Sequence, residues 1–205
     1  MPSLPRLGLE NRLHSEVFRH RQQVAASARK PILSQLPTSP SETAFSRSQS
    51  LLQQLIAPAR RLNRFQQMAY VQSRVTHNIR WVSDATEWGQ HDYWATANET
   101  LVHGAGDEED RAIVKLQALH ALGFSASDLF LTLARDRVGG PITVLTARRY
   151  GHYWVLDDTG GAPFLVEQRR LEFQPVLSFG LRGAWVHTQP VSAPVAVAAS
   201  AFAHK

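Results

Sequence analysis

The stretch that decides the fold spans residues 88–123 and reads WGQHDYWATANETLVHGAGDEEDRAIVKLQALHALG. Its second half, residues 107–122, places apolar side chains on one helical face: Ala112, Ile113, Leu116 and Leu119. Acidic residues crowd the first turn and Gly123 follows the end, which is where the helix dipole favours acids and a C-cap favours glycine. We therefore predict a helix over residues 107–122.

The residues before this helix show a second helical pattern. Over residues 51–82 apolar side chains recur at spacings of three and four, with a break at Pro58, so we predict two amphipathic helices. Residues 83–106 show no sustained period. They predict a packed loop, anchored by aromatic residues that we expect in the core rather than against a substrate, namely Trp88, Tyr93 and Trp94.

The residues after Gly123 change to short β-type runs. These runs cover residues 129–134, 143–147, 153–156 and 164–166. Glycine-containing turns separate them, which predicts an antiparallel meander. Helices followed by strands predict an α+β domain, with the helix at Asp107 packed on the sheet.

The composition indicates one globular domain with irregular ends. The chain has 205 residues and 43% hydrophobic content, enough for a single core. We predict a basic, Ser- and Pro-rich flexible arm over residues 1–50, the domain over residues 51–189, and a flexible tail over residues 190–205. The sequence has no apolar run long enough for a membrane span, and the first residues do not form a secretory signal as written. The expected location is the cytoplasm, or the periplasm if the true start lies upstream and adds an export signal.

Charge is distributed unevenly along the chain. Residues 1–80 hold 12 basic and 3 acidic side chains, whereas residues 81–120 hold 2 basic and 8 acidic ones. A basic arm can bind nucleic acid or an anionic lipid surface. However, aromatic residues are not interleaved with these arginines and no nucleic-acid motif is present, so we expect no nucleic-acid partner and a solvated or self-docking arm.

The chain contains no cysteine, which excludes disulfides, thiolate metal sites and thiol catalysis. The layout is nevertheless that of a papain-like or transglutaminase-like site. Such a site places a nucleophilic cysteine at a helix N-terminus, a histidine on a neighbouring strand, and an orienting acid on the next strand. Here an acidic turn opens a helix, strands follow, and Asp157 lies at a strand end.

The central segment closely resembles the bacterial transglutaminase-like cysteine proteinases. The resemblance rests on the following residues: Trp88-Gly89, Asp92 to Thr96, Glu99, Gly104 to Asp107, Glu109-Asp110, Ala112-Ile113, Lys115, Leu119 and Leu122-Gly123. It continues through Val144-Leu145, through residues 155–157 and through residues 170–185. The family includes periplasmic proteases that clip giant surface adhesins to release biofilms. The resemblance implies a papain/transglutaminase-like fold.

The departures from the family pattern fall on the catalytic positions. Glu108 stands where the family has its cysteine, and Ile142 stands where it has its histidine. Only Asp157 matches the orienting acid, and Ala97 replaces a proline in the preceding loop. His152 is a candidate substitute base, although a surface-turn histidine is the simpler reading.

The resemblance also implies a calcium site. In the adhesin-clipping relatives, the Asp and Glu that flank the cysteine bind calcium, and Asp107 and Glu109 match those positions. Hard oxygen ligands suit Ca²⁺, but two carboxylates do not fill a shell of about 6 to 8 oxygens. The alternative is that Asp107 caps the helix while the other acids complement its dipole.

Three classes of function follow from these observations. The first is a catalytically inactive family member that acts as a binding or regulatory module for a protein or peptide partner. The second is a hydrolase with altered chemistry that uses Glu108 and Asp157 as an acid/base pair, with or without a metal. The third is a nucleic-acid or lipid binder that works through the basic arm, which would show steep salt dependence.

Overall fold

The computed structural model describes residues 40–181 and 183–187. Most of the predicted arm, residues 1–39, and the predicted tail, residues 190–205, lie outside the described residues. Within the described part, five α-helices precede the main sheet. They are α1 (Pro40–Ile56), α2 (Arg64–Asn78), α3 (Asp84–Glu87), α4 (Ala97–His103) and α5 (Glu108–Ala121).

The first two helices confirm the predicted pair. A 3-10 turn over Ala57–Arg61 joins α1 to α2, and Pro58 stands at its start because proline cannot donate the next helical hydrogen bond. The new helix then starts with a capping box. The Asn63 side chain accepts from the Gln66 backbone, and the Gln66 side chain accepts from the Asn63 backbone.

The packed unit starts earlier than the predicted boundary at residue 51. Residues 40–50 belong to α1, and Ser48 is fully buried and bonds to Asn98 Oδ1 at 3.0 Å. Serine and proline are poor helix formers in isolation, so the sequence did not indicate that residues 40–50 are helical. Packing of α1 against α4 stabilises it.

The predicted loop over residues 83–106 is only partly a loop. It contains α3 and α4, and two short strands, β1 (Arg80–Trp81) and β2 (Ala105–Gly106), pair in parallel at its ends. A capping box of Thr96 and Glu99 opens α4, and Gly104 ends it in the left-handed conformation. The prediction was wrong here because the helix has seven residues, too few to display a period.

The main sheet has six strands among the described residues, in the spatial order β6-β5-β4-β3-β7-β8. They are β3 (Leu129–Asp136), β4 (Pro141–Arg149), β5 (His152–Leu156), β6 (Phe164–Leu165), β7 (Phe173–Gly180) and β8 (Gly183–Val186). Each neighbouring pair is antiparallel. The first four strands form the predicted meander, whereas β7 crosses to the other edge of β3, so the predicted meander is only part of the sheet.

The central helix packs on the sheet as predicted. Fully buried residues of α5, among them Ala112, Val114 and Leu119, join the larger apolar cluster with Leu145 and Leu156 of the sheet. A smaller cluster on the alternate positions of the strands contains Val144, Val155, Phe164 and Phe173. The N-terminus of α5 lies beside the start of β4 and the end of β5. Within the described residues, every helix is too short or too polar to cross a membrane.

Candidate functional site

An open groove lies at the N-terminal end of α5. Its volume is about 490 Å³, and Glu108, Ile142 and Asp157 all line it. The structure therefore brings together the three positions that the sequence comparison assigned to nucleophile, base and orienting acid. We name this cavity the α5 groove.

Glu108 and Ile142 occupy different surroundings in the groove. Glu108 is the first residue of α5 and is half-buried. Ile142, near the start of β4, packs against the smaller apolar cluster, which includes Val144 and Phe164. An alkyl side chain cannot accept or transfer a proton, so Ile142 cannot act as a general base.

Asp157 is held in place by three donors. Its Oδ1 accepts from Gln72 Nε2 at 3.0 Å, from the Thr159 backbone N–H at 3.2 Å and from Thr159 Oγ1 at 2.8 Å. Gln72 is fully buried in α2, and its Nε2 also donates to the Gly161 carbonyl at 2.9 Å. A polar residue in the middle of an apolar helix face was the available signal for this role, and sequence reasoning missed it.

Two buried cations of α5 fix the loop that follows β5. Lys115 is 1% exposed, and its Nζ donates to the Asp157 carbonyl at 2.9 Å and forms a short ion pair with Asp158. Arg111 pairs with the other oxygen of Asp158 at 3.3 Å and donates to the Ile79 carbonyl. Burial is the main influence on Lys115 and lowers its pKa, while Asp158 opposes that shift. The cations align the Asp157 loop with α5.

His152 does not reach the α5 groove. It begins β5, is exposed, and pairs with Arg149 across the hairpin. Asp157 follows the far end of the same strand, about 16 Å away at roughly 3.3 Å per residue. The proposal of His152 as a substitute base is therefore wrong, and its interpretation as a surface-turn residue is confirmed.

A cluster of carboxylates lies beside the groove. Ligand oxygens within 4.8 Å of one another occur in three overlapping groups: Asp84, Asp92 and Glu109; Asp84, Asp107 and Asp110; and Asp107, Glu108 and Glu109. We call these six residues the acid cluster. The structure brings the predicted pair, Asp107 and Glu109, together with acids that the sequence could not connect to them. Asp84 and Asp92 come from the region around α3, many residues earlier.

Several oxygens of the acid cluster are buried without a hydrogen-bond partner in the described part of the chain. They belong to Asp84 (Oδ1), Asp107 (Oδ1) and Asp110 (Oδ2), whose residues are 4%, 8% and 0% exposed. Asp107 occupies the N-cap position of α5 but its side chain makes no capping hydrogen bond. The alternative interpretation is therefore confirmed for the N-cap position of Asp107 and for the acids in the first turn, which complement the helix dipole, but not for a capping hydrogen bond. Buried, unpartnered carboxylate oxygens are costly, and a bound cation relieves that cost.

Burial and mutual repulsion raise the pKa values of these acids. Burial raises the pKa of Asp107 to about 6, with the Asp84 carboxylate as the next cause. Burial followed by the charge of Asp107 raises the pKa of Glu109 to about 9. Burial also raises the pKa of Asp110 to about 7. A hard divalent cation would offset the repulsion between these carboxylates, and their oxygens are ligands of the kind that such a cation prefers.

The second oxygens of Asp84 and Asp110 hold the loop before α4. Asp110 Oδ1 accepts from the Ala95 backbone at 2.7 Å, and Asp84 accepts from the Tyr93 backbone. Trp94 is 8% exposed and meets the edge of Phe179 in the core, as predicted for an anchor. The rings of Trp88 and Tyr93 are in contact at a tilt of 45°, with their centroids 4.9 Å apart. The acids thus couple the loop to the helix that carries Glu108.

The layout of this site and the fold define a class of protein. Residues 46–190 match the family model of the bacterial transglutaminase-like cysteine proteinases, and the chain belongs to that family. This confirms the family that the sequence resembles and the predicted α+β, transglutaminase-like fold.

Among solved structures, the chain is similar to Legionella pneumophila LapG. One LapG structure matches at 23% identity and a TM-score of 0.56, over 82% of this chain and 86% of that chain. A calcium-bound LapG structure matches at 22% identity and a TM-score of 0.57, over 88% of this chain and 93% of that chain. At this identity the likeness shows a shared fold. Among curated proteins, none matches the chain significantly.

Proposed function

We propose that this chain is a catalytically inactive member of its family that works as a binding or regulatory module. The observation that carries the proposal is the absence of any cysteine from the 205 residues. The family attacks peptide bonds with a cysteine thiolate, and this chain lacks that nucleophile. The groove itself remains, with Asp157 still held by three donors.

The side chains at the two vacated positions support this inference. A carboxylate such as Glu108 is a weak nucleophile toward an amide, and Ile142 offers no proton acceptor. The alternative of Glu108 and Asp157 as an acid/base pair needs an Asp157 side chain that can turn toward Glu108 and exchange a proton. Its Oδ1 is instead occupied by donors from Gln72 and Thr159, which favours a structural role.

The α5 groove suits a peptide. Its lining combines the exposed Val138 and the buried phenylalanines Phe164 and Phe173 with charged side chains of both signs, among them Arg137, Arg169 and Glu172. Val138 is 87% exposed at the rim, in the β3–β4 hairpin. Exposed apolar side chains beside charged ones are typical of surfaces that contact protein. The partner class that fits is a protein or peptide segment laid along this groove without being cleaved.

We further propose that the acid cluster binds calcium. Asp84, Asp92, Asp107, Glu109 and Asp110 would hold the ion, since their oxygens approach one another in overlapping groups of three. Asp84, Asp107 and Asp110 each have one buried oxygen without a hydrogen-bond partner in the described residues. The ion would neutralise the repulsion among the acids and tie the loop before α4 to α5. This site would then shape the adjacent groove.

The calcium proposal is tested by thermal unfolding. A ligand that binds only the folded state stabilises it by mass action, so millimolar calcium should raise the melting temperature, and equal magnesium should do so less. Asp107→Asn should remove the calcium response. The matched control is Asp128→Asn, a surface acid paired with Arg148, which should keep it. A wild-type protein with no calcium response would contradict the site.

Inactivity is tested first by turnover. Incubation with adhesin-type and generic peptide substrates should give product at the buffer rate. Turnover above buffer that disappears in Glu108→Ala would replace the proposal with the carboxylate hydrolase.

Restoring the missing groups tests the assignment of the vacated positions. Glu108→Cys combined with Ile142→His should give a thiol that iodoacetamide alkylates faster than the thiol of Glu108→Cys alone, because an imidazolium lowers the thiol pKa. Calcium should accelerate both reactions, since it offsets the neighbouring carboxylates. If the folded double variant reacts no faster than the single one, Ile142 is not the histidine position.

A further inference from the structure

A second groove lies at the opposite end of α5 from Glu108. It is formed by the start of α2, the residue after α5 and the β4–β5 hairpin, and its volume is about 660 Å³. The 14 residues of α5 separate it from the α5 groove by about 21 Å at roughly 1.5 Å per residue. Its main lining residues are three arginines and three aromatics: Arg60, Arg64, Arg149, Phe65, Tyr150 and Trp154. We call it the arginine groove.

The positive charge of the arginine groove is uncompensated in the described part of the chain. No carboxylate lines it, and none of its arginines has an acidic partner among the described ion pairs. Neutral oxygens position them instead. Arg64 donates to the Leu122 carbonyl at 2.8 Å, and Arg60 donates to Gln53 Oε1 at 2.6 Å. Arg149 donates to Tyr150 Oη at 3.0 Å, while its Nε is buried without a partner.

The aromatic side chains of the groove stay partly uncovered. Phe65 is 42% exposed and meets the edge of Trp154 at 5.0 Å. Tyr150 is 83% exposed, and Arg149 lies over its ring at 4.3 Å. Arginine, tyrosine, tryptophan and phenylalanine are the residues enriched at protein interfaces, whereas aspartate, glutamate and lysine are depleted there.

The backbone at Tyr150 is a second, independent feature. Tyr150 has φ of 52°, which is the left-handed region, in the two-residue turn between β4 and β5. Asparagine or glycine fits such a turn without strain, and a bulky residue there stores backbone energy. The fold therefore holds an exposed aromatic ring at the groove in a conformation that local propensity disfavours.

We propose that the arginine groove is the docking site for an acidic segment of a partner protein. Carboxylates of the segment pair with Arg60 and Arg149, and an aromatic or aliphatic side chain packs on the exposed surface that Phe65 and Trp154 form together. The groove lies apart from Glu108, so this binding does not depend on the inactivity of the α5 groove.

Charge and burial favour this occupant over two others. The predicted N-terminal arm, residues 1–50, is basic, with 7 basic and 3 acidic side chains, so it does not complement the arginines. In the described part of a second copy, the acidic side chains that lie together in groups of three are those of the acid cluster. However, Asp84, Asp107 and Asp110 in that cluster are buried. A separate acidic protein segment supplies both the carboxylates and the apolar side chain.

The test measures binding of a fluorescent peptide to the full chain by anisotropy. In the peptide, glutamates flank a single tryptophan, and a control peptide has glutamine in place of each glutamate. Wild-type protein should bind the acidic peptide and not the control, with affinity that falls as salt rises. No binding by wild type at low salt would overturn the proposal.

A matched pair of double variants separates this groove from general charge. Arg60→Gln with Arg149→Gln should weaken binding about tenfold or more. Arg61→Gln with Arg148→Gln removes the same charge from neighbouring residues outside the groove, and binding should change less than about twofold. Equal losses in the two pairs would show general electrostatic attraction and overturn the proposal.

Tyr150→Asn provides a variant that relieves strain. Its melting temperature should equal or exceed that of wild type, since asparagine accepts the left-handed turn, while peptide binding weakens. Unchanged binding would exclude the ring from the contact and overturn its role.

Sedimentation adds one more outcome. If wild type forms a dimer and only the Arg60→Gln, Arg149→Gln double variant loses it, the groove serves self-association and the proposal is overturned.

Discussion

Replacing Lys115 with methionine tests whether a buried cation holds the loop that carries Asp157. Methionine keeps most of the side-chain volume but removes the charge and the donor. The Nζ of Lys115 currently serves both the Asp157 carbonyl, at 2.9 Å, and the Asp158 carboxylate. In the variant the carbonyl loses its donor, and Asp158 keeps only its contact with Arg111 at 3.3 Å.

The size of the effect follows from how much of the pair remains. Removing one partner of a buried ion pair costs about 3 to 5 kcal/mol. The Asp158 side chain keeps 18% exposure as well as Arg111, so we expect the lower end, about 3 kcal/mol. For a domain of this size, each kcal/mol lowers the melting temperature by about 2 to 4 °C, so the expected decrease is about 6 to 12 °C.

The assay is thermal and urea unfolding of Lys115→Met, Asp158→Ala and the double variant. If the two side chains act together, the double variant should be more stable than the two separate losses predict, by about 1 to 3 kcal/mol. Calcium should raise the melting temperature of Lys115→Met as in wild type, because the acid cluster is unchanged. A decrease below about 2 °C, or additive losses, would refute the reasoning.

Three other substitutions test a helix cap, a close backbone approach and the charge of the acid cluster. Asn63→Ala removes the capping box of α2 and should cost about 1 kcal/mol in urea unfolding, and no loss would contradict the cap. A Cβ at Gly106 would lie 2.7 Å from Asp110 Oδ2, so Gly106→Ala should lower stability and weaken the calcium response, whereas Gly161→Ala should change neither. Burial raises the pKa of Asp110 to about 7, so the folded calcium-free protein binds this proton more tightly than the unfolded chain. Its stability should fall as the pH rises from about 4 through 7. Asp110→Asn, which keeps an acceptor for Ala95, should make the decrease in melting temperature smaller in EGTA, while the raised pKa values of Asp107 and Glu109 preserve part of it.

The acid cluster shows how far sequence reasoning reached at the site. The spacing around Asp107 and Glu109 was visible because both lie in one turn of one helix. Asp84 and Asp92 belong to a segment predicted as a loop, and nothing local connects them to α5. Their approach depends on hydrogen bonds between this segment and α5, such as that from the Ala95 backbone N–H to Asp110 Oδ1.

The same limit applies to the residues that hold Asp157. Gln72 lies 85 positions before it, and its role became visible only when α2 packed beside the end of β5. Lys115 was noticed as part of the family pattern, but its partner Asp158 lies 43 positions away. Ser48 and Asn98 likewise join α1 to α4 over 50 positions.

The sequence by itself determined the family, the helix that begins after Asp107, the strands of the meander and the absence of a thiol. These features depend on local periodicity, capping, turn residues and residue identity, which are all expressed within a short window of the chain. Only the tertiary structure decided that six acids meet, that Gln72 supports Asp157, and that Arg60 and Arg149 border one aromatic groove. Those arrangements follow from the packing of distant segments, since burial removes water as a partner and requires polar groups to find each other across the fold.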